Sequence, residues 1–403
     1  MAEAAPAARP GARLWRITLA LFMAGFATFS LIYSVQPLLA EFAREFHLDA
    51  AASSLALSST TGALAISILA MGAFSETLGR RGLMFGSMCA AALLNLGCAT
   101  APSWSLLLVA RGLEGLVLGG VPATAMAYLA EESPPNRLGF AMGLYVSGTA
   151  FGGMTGRVAM GVLTQLSSWR TALGVISAVD LVAALAFVLL LPPSRHFVRR
   201  GGLALRVHLG AWSSHLGQPG LSMLFLVAFL AMGAFVTVYN YVGFRLAEPP
   251  YHLGQAQIGL IFLTYLIGMI ASSWAGGLAD RFGRAPIMIL GALITLAGLG
   301  VSLGQPLALV ILGVAAITVG FFVTHSVASG WVGRLALENR SHAASLYLLA
   351  YYLGASVLGS AGGAFWRWGG WPAVTGYCCA AMLAVLALGV SLGRLPALRR
   401  TLA

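Results

Sequence analysis

Lysine is absent from this chain of 403 residues, and charged residues of every kind make up only 9% of it. A soluble protein of this size carries about 25% charged residues. Hydrophobic residues make up 59% of the chain, and its mean hydropathy is +0.87. So few charges cannot cover a surface with polar groups, which excludes a water-soluble globular protein and predicts that most of the surface faces lipid.

The chain also lacks short motifs that would mark an enzyme. Without lysine it has no phosphate-binding loop of the Gly-x-x-x-x-Gly-Lys type, and none of its seven histidines is spaced His-x-x-x-His as in zinc hydrolases. The four cysteines lie in apolar runs, without the spacing of a metal site or a disulfide framework: Cys89, Cys98, Cys378 and Cys379. We therefore predict that the protein is not an enzyme and binds no cofactor.

The chain instead contains a series of long apolar runs. Each is about 20 residues or longer, enough for a helix to cross a bilayer core of about 30 Å. We count twelve such runs, over residues 14–39, 52–74, 83–101, 104–129, 138–165, 171–192, 220–244, 255–278, 286–304, 306–331, 342–365 and 371–393. The predicted fold is an all-α integral membrane protein with twelve transmembrane helices, in direct contact with the lipid bilayer.

The basic residues, all of them arginine, are distributed unevenly between the two sides of the predicted membrane. If the N-terminus is cytoplasmic, the tails and the even-numbered loops hold 17 of the 23 arginines. The opposite side holds four: Arg44, Arg170, Arg245 and Arg367. Because arginine concentrates on the cytoplasmic side, we predict that both termini are cytoplasmic and that the membrane is the bacterial inner membrane. The net charge of +11 then reflects topology and attraction to anionic lipid, not a nucleic-acid partner.

The longest polar connection divides the chain into two halves of six spans each. We predict an N-terminal bundle (1–193), a cytoplasmic central loop (194–219) and a C-terminal bundle (220–403). The halves are related in sequence, since residues such as Gly152 and Gly354 match at a constant distance of 202 positions. A weak internal repeat in an all-helical membrane chain is typical of secondary transporters built from related bundles.

A connection rich in glycine and arginine also occurs twice, between spans 2 and 3 and between spans 8 and 9. The first copy contains Gly72, Glu76, Gly79, Arg80 and Arg81. The second copy, 204 residues later, contains Gly276, Asp280, Arg281, Gly283 and Arg284. Glycine permits a tight turn, and an acid near a helix end can pair with a loop arginine. Ordinary loop chemistry would explain one copy, whereas two copies at matched positions favour a functional motif.

The second copy matches the signature Gly-x-x-x-Asp-Arg-x-Gly-Arg, and through it the whole chain resembles the major facilitator superfamily. The stretches FATFSLIYSVQPLL, GGVPATAMAYLAEE and MGLYVSGTAFGGMTGR resemble its bacterial YnfM-like branch, grouped with acriflavine-resistance-type exporters. The resemblance implies two pseudo-symmetric six-helix bundles, a monomer, and a small-molecule substrate moved by alternating access. It also implies that the repeated loop motif is a conformational latch between the halves on the cytoplasmic side.

Four charged residues lie inside predicted spans of the N-terminal half: Arg111, Glu114, Arg157 and Asp180. Each costs about 2.5–3.5 kcal/mol on insertion scales, and intramembrane ionisable residues commonly mark substrate or proton pathways. The alternative is a neutral ionic network that only holds the bundle together. By resemblance, Arg111-x-x-Glu114-Gly is similar to the family's Arg-x-x-Gln-Gly motif, which is linked to proton coupling. Glu114, in place of Gln, either carries the proton or only neutralises Arg111.

Span 5 contains a stripe of glycines at every fourth residue, Gly148, Gly152 and Gly156, with Gly153 beside it. Such a stripe lets a second helix pack closely. It resembles the Gly-Pro-x-x-Gly-Gly motif of the antiporter families, with Thr149 where Pro is usual. A helix-packing stripe without a role in transport is the alternative.

Aromatic and polar residues within the spans are candidates for a substrate cavity, although some could belong to the interfacial aromatic belts. The candidates are Phe29, Tyr33, Gln36, Tyr145, Tyr239, Asn240, Tyr241, His325, Tyr347 and Tyr351. An aromatic cavity with few charges suits amphipathic or cationic molecules better than sugars or phosphates. We predict a secondary active transporter powered by the proton gradient, an exporter of amphipathic or drug-like compounds or metabolites. A proton-coupled importer or facilitator of a small nutrient is the alternative, and a channel or membrane enzyme fits less well.

Overall fold

The computed structural model describes residues 10–134, 137–194 and 205–395, and every regular element in these ranges is helical. The N-terminal half contains α1 (Pro10–Tyr33), α2 (Leu39–Glu45), α3 (Ala50–Leu78), α4 (Arg80–Ala99), α5 (Trp104–Leu118), α6 (Pro122–Glu132), α7 (Leu138–Leu166) and α8 (Trp169–Leu190). The rest contains α9 (Leu205–Leu216), α10 (Pro219–Ala247), α11 (Gln255–Leu260), α12 (Thr264–Phe282), α13 (Arg284–Val301), α14 (Leu307–Leu335) and α15 (Arg340–Arg394). Short 3-10 helices, Gln36–Leu38 and Ile261–Leu263, follow α1 and α11.

Each predicted span coincides with one of these helices, with part of one, or with a broken pair. Within the described ranges, nine helical segments are long and apolar enough to cross a membrane. The fourth predicted span is broken between α5 and α6, and the fifth, α7, is rich in glycine and contains Arg157. The last two spans are joined in α15, which leaves helical geometry at Gly369 and Gly370. The all-helical membrane fold is confirmed, and the count of twelve stays a prediction.

The helices form two sets that repeat one packing plan. In the N-terminal set, α1 packs against α7 and α8, and α5 lies against α3 and α4. In the C-terminal set, the equivalent helices pack in the same way: α10 lies against α15, and α14 lies against α12 and α13. The sets meet where α3 packs on α15 and α7 on α11. The domain limits stay a prediction, but the central connection is not entirely a loop, because α9 lies within it.

The two copies of the loop motif fold in the same way. Gly79 ends α3 with φ 88° and ψ 138°, and Gly283 ends α12 with φ 92° and ψ 153°. A side chain at either position would be strained, because L-residues other than glycine avoid positive φ. Gly276 has a different environment, since nothing lies within 4 Å of a Cβ built on it. Close helix approach is therefore not the role of Gly276 in this structure.

The glycine stripe of α7 faces α1. A Cβ at each position would overlap an α1 residue: Gly148 at Phe22, Gly152 at Phe26 and Gly156 at Ser30. The C-terminal set repeats this contact, because a Cβ on Gly354 of α15 would overlap the carbonyl oxygen of Phe229 in α10. The structure thus gives the stripe a packing role in both sets, and its link to antiport stays a prediction.

We call the end of the molecule at which α1 begins and α8 ends the arginine-rich end. There Arg13 of α1 pairs with Glu132 at 2.7 Å, and Arg80 of α4 pairs with Glu131 at 2.5 Å. Both pairs connect the ends of helices within the N-terminal set. The opposite end carries Asp49, which caps α3 by accepting a hydrogen bond from the Ala52 amide at 2.6 Å.

Candidate transport site

A cavity of about 420 Å³ lies between the two sets of helices, lined by α1, α6 and α7 on one side and by α10, α12, α14 and α15 on the other. Six of the predicted cavity residues line it: Phe29, Tyr33, Tyr145, His325, Tyr347 and Tyr351. Arg157 and Gly153 line it as well. Small-molecule sites span about 300–1,000 Å³, so this cavity accommodates one small compound.

The cavity extends toward the arginine-rich end. Its lining includes Met126 near the middle of α6, Gly333 near the end of α14 and Ala344 near the start of α15. The connection between α14 and α15, which Arg334 and Arg340 flank, lies at the arginine-rich end. Among the described residues, the cavity thus reaches between the two sets of helices toward the arginine-rich side.

Polar contacts join the two sets at the opposite end. Asp49 pairs with Arg367 at 2.8 Å. The Ser360 hydroxyl donates to the Ser58 hydroxyl at 2.6 Å, which links α15 to α3. The Ala256 amide of α11 donates to the side chain at the end of α7 at 2.9 Å. A compound in the cavity therefore has its shortest route out through the arginine-rich end.

Four predicted cavity residues do not line the cavity. The Gln36 amide donates to the Asn240 side-chain oxygen at 2.8 Å, so these two buried residues connect the sets instead. The Tyr239 hydroxyl lies 2.6 Å from the hydroxyls of Thr264 and Thr318, and the Tyr241 hydroxyl donates to a backbone carbonyl of α15 at 3.0 Å. Their hydroxyls are satisfied inside the C-terminal set, which leaves none for a substrate.

Four aromatic residues that the sequence did not point to also line the cavity: Phe235, Tyr265, Phe321 and Phe322. The Phe235 ring stacks on the Phe321 ring, with 3.9 Å between centroids and 9° between planes. Phe321 and His325 are four residues apart on one face of α14, and their rings are 5.7 Å apart. That i, i+4 spacing is the signal that could have identified Phe321.

Arg157 is buried between the two sets at the deep end of the cavity. Its Nε donates to the Gln36 side-chain oxygen at 2.7 Å, and its Nη1 donates to the Gly153 carbonyl at 2.7 Å. Its guanidinium carbon lies 4.0 Å from the centre of the Tyr33 ring and 4.9 Å from that of Tyr265. Among the residues that the structure describes, no carboxylate lies within 4.0 Å of this guanidinium. Arg157 is therefore held by amide, carbonyl and ring contacts rather than by an ion pair.

Arg111 is also fully buried, but it faces away from the cavity. It pairs with Glu114 at 2.7 Å and donates to the carbonyls of Leu31 and Ile32 in α1, at 3.2 and 2.7 Å. A third donation, from Nε, reaches the Ala56 carbonyl of α3 at 3.1 Å. The last carbonyls of a helix lack partners within it, and a cation complements the negative end of its dipole. Arg111 thus supplies what the end of α1 needs inside a membrane.

Two buried acids, Glu114 beside Arg111 and Asp180 near Glu114, have carboxylate oxygens without well-formed hydrogen bonds among the described residues. The Oε1 atom of Glu114 and both carboxylate oxygens of Asp180 lack a well-formed hydrogen bond in the described part of the chain, although Ser30 is close enough to interact with Asp180. Both side chains are buried. Three of the four predicted intramembrane charges therefore lie behind α1, and only Arg157 reaches the cavity. The described residues include no group of three His, Cys, Asp or Glu that could hold a metal ion.

The end of α1 separates these two groups of charges. We call residues 31–38, where α1 ends and the short 3-10 helix follows, the α1 elbow. On one side its carbonyls accept from Arg111, and on the other Tyr33 and Gln36 contact Arg157. If Arg111 changed its hydrogen bonds to the carbonyls of the α1 elbow and the elbow moved, the contacts of Tyr33 and Gln36 with Arg157 would change as well.

The loop motif makes contacts within each half. In the second copy Asp280 accepts from Arg284 at 2.9 Å and from Arg334 at 3.0 Å, and Arg281 lies over the Phe282 ring at 5.1 Å. All five residues belong to the C-terminal half. The latch between the halves stays a prediction, because the contacts that the described residues of this copy make are all within the C-terminal half.

In the first copy Arg80 pairs with Glu131, and Arg81 donates to the Val188 carbonyl. Both contacts stay within the N-terminal half. The side chains of residues 72–78 lie outside the described part of the chain, and with them the predicted Gly72 and Glu76.

The family follows from comparison with known sequences: residues 17–248, more than half of the chain, match the Major Facilitator Superfamily. This chain belongs to that superfamily. The superfamily member is 44% identical to "Uncharacterized MFS-type transporter YybF" of Bacillus subtilis, over 96% of both chains. It is 42% identical to "Inner membrane transport protein YnfM" of Escherichia coli, over 94% of this chain and 91% of the relative.

Solved structures show the same fold. A mutant of the nucleoside transporter NupG superposes with a TM-score of 0.74 at 14% identity, covering 92% of this chain and 99% of the other. A bacterial homologue of the human lysosomal transporter Spinster, titled as inward-facing and unoccupied, superposes with a TM-score of 0.69 at 16% identity, covering 96% of each chain. At these identities the likeness supports the fold alone.

The superfamily membership confirms several predictions from the sequence. The protein is a multi-pass membrane transporter of the secondary type, not an enzyme, and it works in a lipid bilayer on a small-molecule substrate. The direction of transport, the coupling ion, the class of substrate, the side on which the termini lie and the monomeric state remain matters for proposal.

Proposed function

We propose that this superfamily member is a proton-coupled exporter of amphipathic organic compounds, which binds its substrate in the aromatic cavity and exchanges a proton behind α1. The observation that supports this most directly is the position of the α1 elbow between the two groups of charges. A transporter couples two ligands when both act on one element that has two arrangements.

Substrate entry is proposed from the cytoplasm. The cavity extends toward the arginine-rich end, and arginine marks the cytoplasmic side. This arrangement loads an exporter from the inside, and the resemblance to acriflavine-resistance-type exporters favours the same direction. Both termini are cytoplasmic in this proposal. A cysteine introduced at position 399 should react with a membrane-impermeant thiol reagent only in inside-out vesicles, and labelling of intact cells would contradict it.

The proton site is proposed at Glu114, with Asp180 as its neighbour. Glu114 is faced by Arg111 from its own helix, by Cys98 from α4, by Asp180 from α8, and through Asp180 by Ser30 of α1. Asn95 of α4 contacts the other member of the pair, since its side-chain oxygen accepts from Arg111 at 3.5 Å. An ionised carboxylate buried without donors costs several kcal/mol. The three oxygens without well-formed hydrogen bonds therefore provide a place where a proton would be taken up.

Coupling is proposed to run through the guanidinium of Arg111. While Glu114 is ionised, Arg111 divides its donors between that carboxylate and the α1 elbow. Protonation of Glu114 removes the charge partner and leaves the elbow's carbonyls as the main acceptors. Because Gln36 of the elbow bonds Asn240 across the halves, the change reaches a buried contact between the two halves.

Inside-out vesicles test this proposal. Vesicles from cells with the protein, from cells without it, and from cells with Glu114→Gln would be energised so that their lumen becomes acidic. Uptake of two fluorescent amphipathic probes, 2-naphthalenesulfonate and acriflavine, would then be followed. The proposal expects uptake of at least one probe that needs the protein and is abolished by an uncoupler. Uptake that is insensitive to the uncoupler, or energised accumulation only in right-side-out vesicles, would contradict it.

A further inference from the structure

The described lining of the cavity has one full charge, and it is positive. Arg157 lines the cavity, whereas no aspartate, glutamate or lysine does so among the described residues. The other titratable group of note, His325, has its Nδ1 atom 2.9 Å from the Tyr347 hydroxyl. A cationic ligand would meet an uncompensated arginine here and no acid to offset it.

Arg157 also has a hydrogen-bond donor that is not used within the described part of the chain. Its Nε and Nη1 atoms donate to Gln36 and Gly153, but its Nη2 atom has no hydrogen-bond partner among the described residues. The hydroxyls of Tyr33 and Tyr145 are buried, belong to residues that line the cavity, and likewise lack partners in the described structure. The Nη2 atom of Arg157 is therefore available to an acceptor in the cavity, and the two buried hydroxyls beside the cavity have no partner of their own among the described residues.

Comparison with Arg111 shows what Arg157 lacks. Both arginines are buried almost completely, and a buried charge is costly unless it is paired. Arg111 has its carboxylate partner in Glu114. Arg157 has only neutral acceptors and aromatic faces, so an anion from outside the chain would complete its environment. Arginine is the side chain best suited to bind such an anion, since its planar fork matches a carboxylate.

The rest of the cavity is apolar and aromatic. Phe29 belongs to α1, Phe235 and Phe321 form the stacked pair, and Tyr351 lies 4.9 Å from the His325 ring. These rings line the space between Arg157 and the arginine-rich end. A ligand that satisfies the whole cavity has one anionic group at its deep end and a hydrophobic body behind it.

We propose that the substrate is an amphipathic organic monoanion, with a carboxylate or sulfonate at Arg157 and an apolar or aromatic body among the rings. That this ligand is also transported rests on the proposed function. The anion competes with Gln36 for the guanidinium, and Gln36 in turn bonds Asn240. Substrate binding at Arg157 therefore acts on the Gln36–Asn240 hydrogen bond that joins the two halves.

Ligand selectivity of the purified protein tests the class directly. Thermal unfolding in detergent would be measured with three compounds of one skeleton: 4-phenylbutyrate, 4-phenylbutyramide and 4-phenylbutylamine. The carboxylate is expected to raise the melting temperature with saturable dependence on concentration, and the amide and amine to do so at least tenfold less potently. Equal or greater stabilisation by the amide or amine, or none by the carboxylate, would overturn the proposal.

Variants locate the site. Arg157→Gln should weaken 4-phenylbutyrate binding at least tenfold, Arg157→Lys should weaken it less, and Tyr145→Phe should reduce it without loss of fold. The control is Arg44→Gln, a surface arginine paired with Glu41, which should bind normally. Unchanged binding by both Arg157→Gln and Tyr145→Phe would overturn the site. If Arg157→Gln does not fold, Arg157→Lys and Tyr145→Phe decide by the same criterion.

The binding and transport measurements distinguish failure of the proposed ligand class from failure of the proposed export function. Carboxylate-selective stabilisation without uncoupler-sensitive uptake of 2-naphthalenesulfonate would keep the ligand class and overturn the exporter. Uptake of acriflavine together with stabilisation by the amine would keep the exporter and overturn the ligand class. The sulfonate is chosen for flux because it stays ionised and cannot cross the bilayer as a neutral acid.

Discussion

The two halves of this transporter share a helix plan but bury different chemistry. The N-terminal half buries Arg111, Glu114, Arg157 and Asp180. The C-terminal half, as far as it is described, buries an aromatic cluster instead, with Phe235 stacked on Phe321. Repeated packing thus does not require repeated function: one half holds the charges that would bind proton and anion, and the other supplies an apolar wall.

At one point of contact between the halves, two residues at equivalent positions of the sequence repeat bond to each other. Gln36 and Asn240 are 204 residues apart, the same offset that relates the two loop motifs, and they hydrogen-bond to each other. Residues at equivalent positions of a repeat meet when they lie near its pseudo-twofold axis. The α1 elbow therefore ends on that axis, where a small movement in one half is passed to the other.

The largest expected effect comes from the charged half. Arg111→Met should destabilise the folded protein by about 3–5 kcal/mol, because it leaves Glu114 and the carbonyls of the α1 elbow without their donor. The measurement is thermal unfolding in detergent, together with the yield of monodisperse protein. Arg44→Met, which breaks a surface pair, should cost no more than about 1 kcal/mol. Equal stability of the two variants would show that the charged cluster does not hold α1.

The next largest effect tests the helix packing that the two halves share, rather than the difference in their buried residues. Gly152→Ala and Gly354→Ala should each destabilise the fold by about 1–3 kcal/mol, because the added methyl group would overlap the carbonyl of Phe26 or Phe229. Gly143→Ala is the matched control, since nothing lies within 4 Å of its Cβ. Loss of stability in only one of the two stripe variants would break the equivalence of the halves.

A smaller effect is expected from the aromatic half. Tyr239→Phe removes a hydroxyl that bonds Thr264 and Thr318, and should cost about 1 kcal/mol. Tyr377→Phe, whose hydroxyl makes only a 3.4 Å contact, should cost less. Thermal unfolding of both variants measures the difference. A loss as large as that of Arg111→Met would mean that the aromatic half, not the charged one, holds the core together.

The features that the sequence could predict are those set by local pattern. Apolar runs predicted the helices, and Leu113 and Leu116 are exposed on the face opposite the buried Arg111 and Glu114, as helical spacing requires. The partner of Arg157 could not be predicted, because Gln36 is 121 residues away. Spacing within a helix says which residues share a face, but it does not say which helix that face meets.

The same limit explains the misplaced cavity candidates. Depth along the helices put Tyr239 and Tyr241 level with Tyr33, but rotation about the helix axis turns their hydroxyls toward partners inside the C-terminal set. Phe321 was missed although it lies four residues from His325 on the same face of α14, and its stacking partner, Phe235, lies on another helix of the C-terminal set, which spacing within α14 does not reveal.

The smallest effect on stability is expected at the loop motif. Asp280 is more than half exposed and pairs with Arg284 and Arg334, so Asp280→Asn should cost no more than about 1 kcal/mol. Its uncoupler-sensitive uptake should nevertheless fall severalfold, since the resemblance gives this acid a role in closing the halves. Glu248→Gln, another exposed acid, is the control and should transport normally. Full uptake by Asp280→Asn would contradict the predicted role of this carboxylate as a latch between the halves.

The central claim is that the proton and the substrate bind on opposite sides of the α1 elbow. It is tested by Glu114→Gln in proteoliposomes loaded with 2-naphthalenesulfonate, with and without an imposed pH gradient. The account predicts that this variant exchanges the probe across the membrane at a rate near that of the original protein, but no longer accumulates it against its gradient and no longer responds to pH. If Glu114→Gln keeps gradient-driven accumulation and its pH dependence, the carboxylate is only the counter-ion of Arg111, and the account is contradicted.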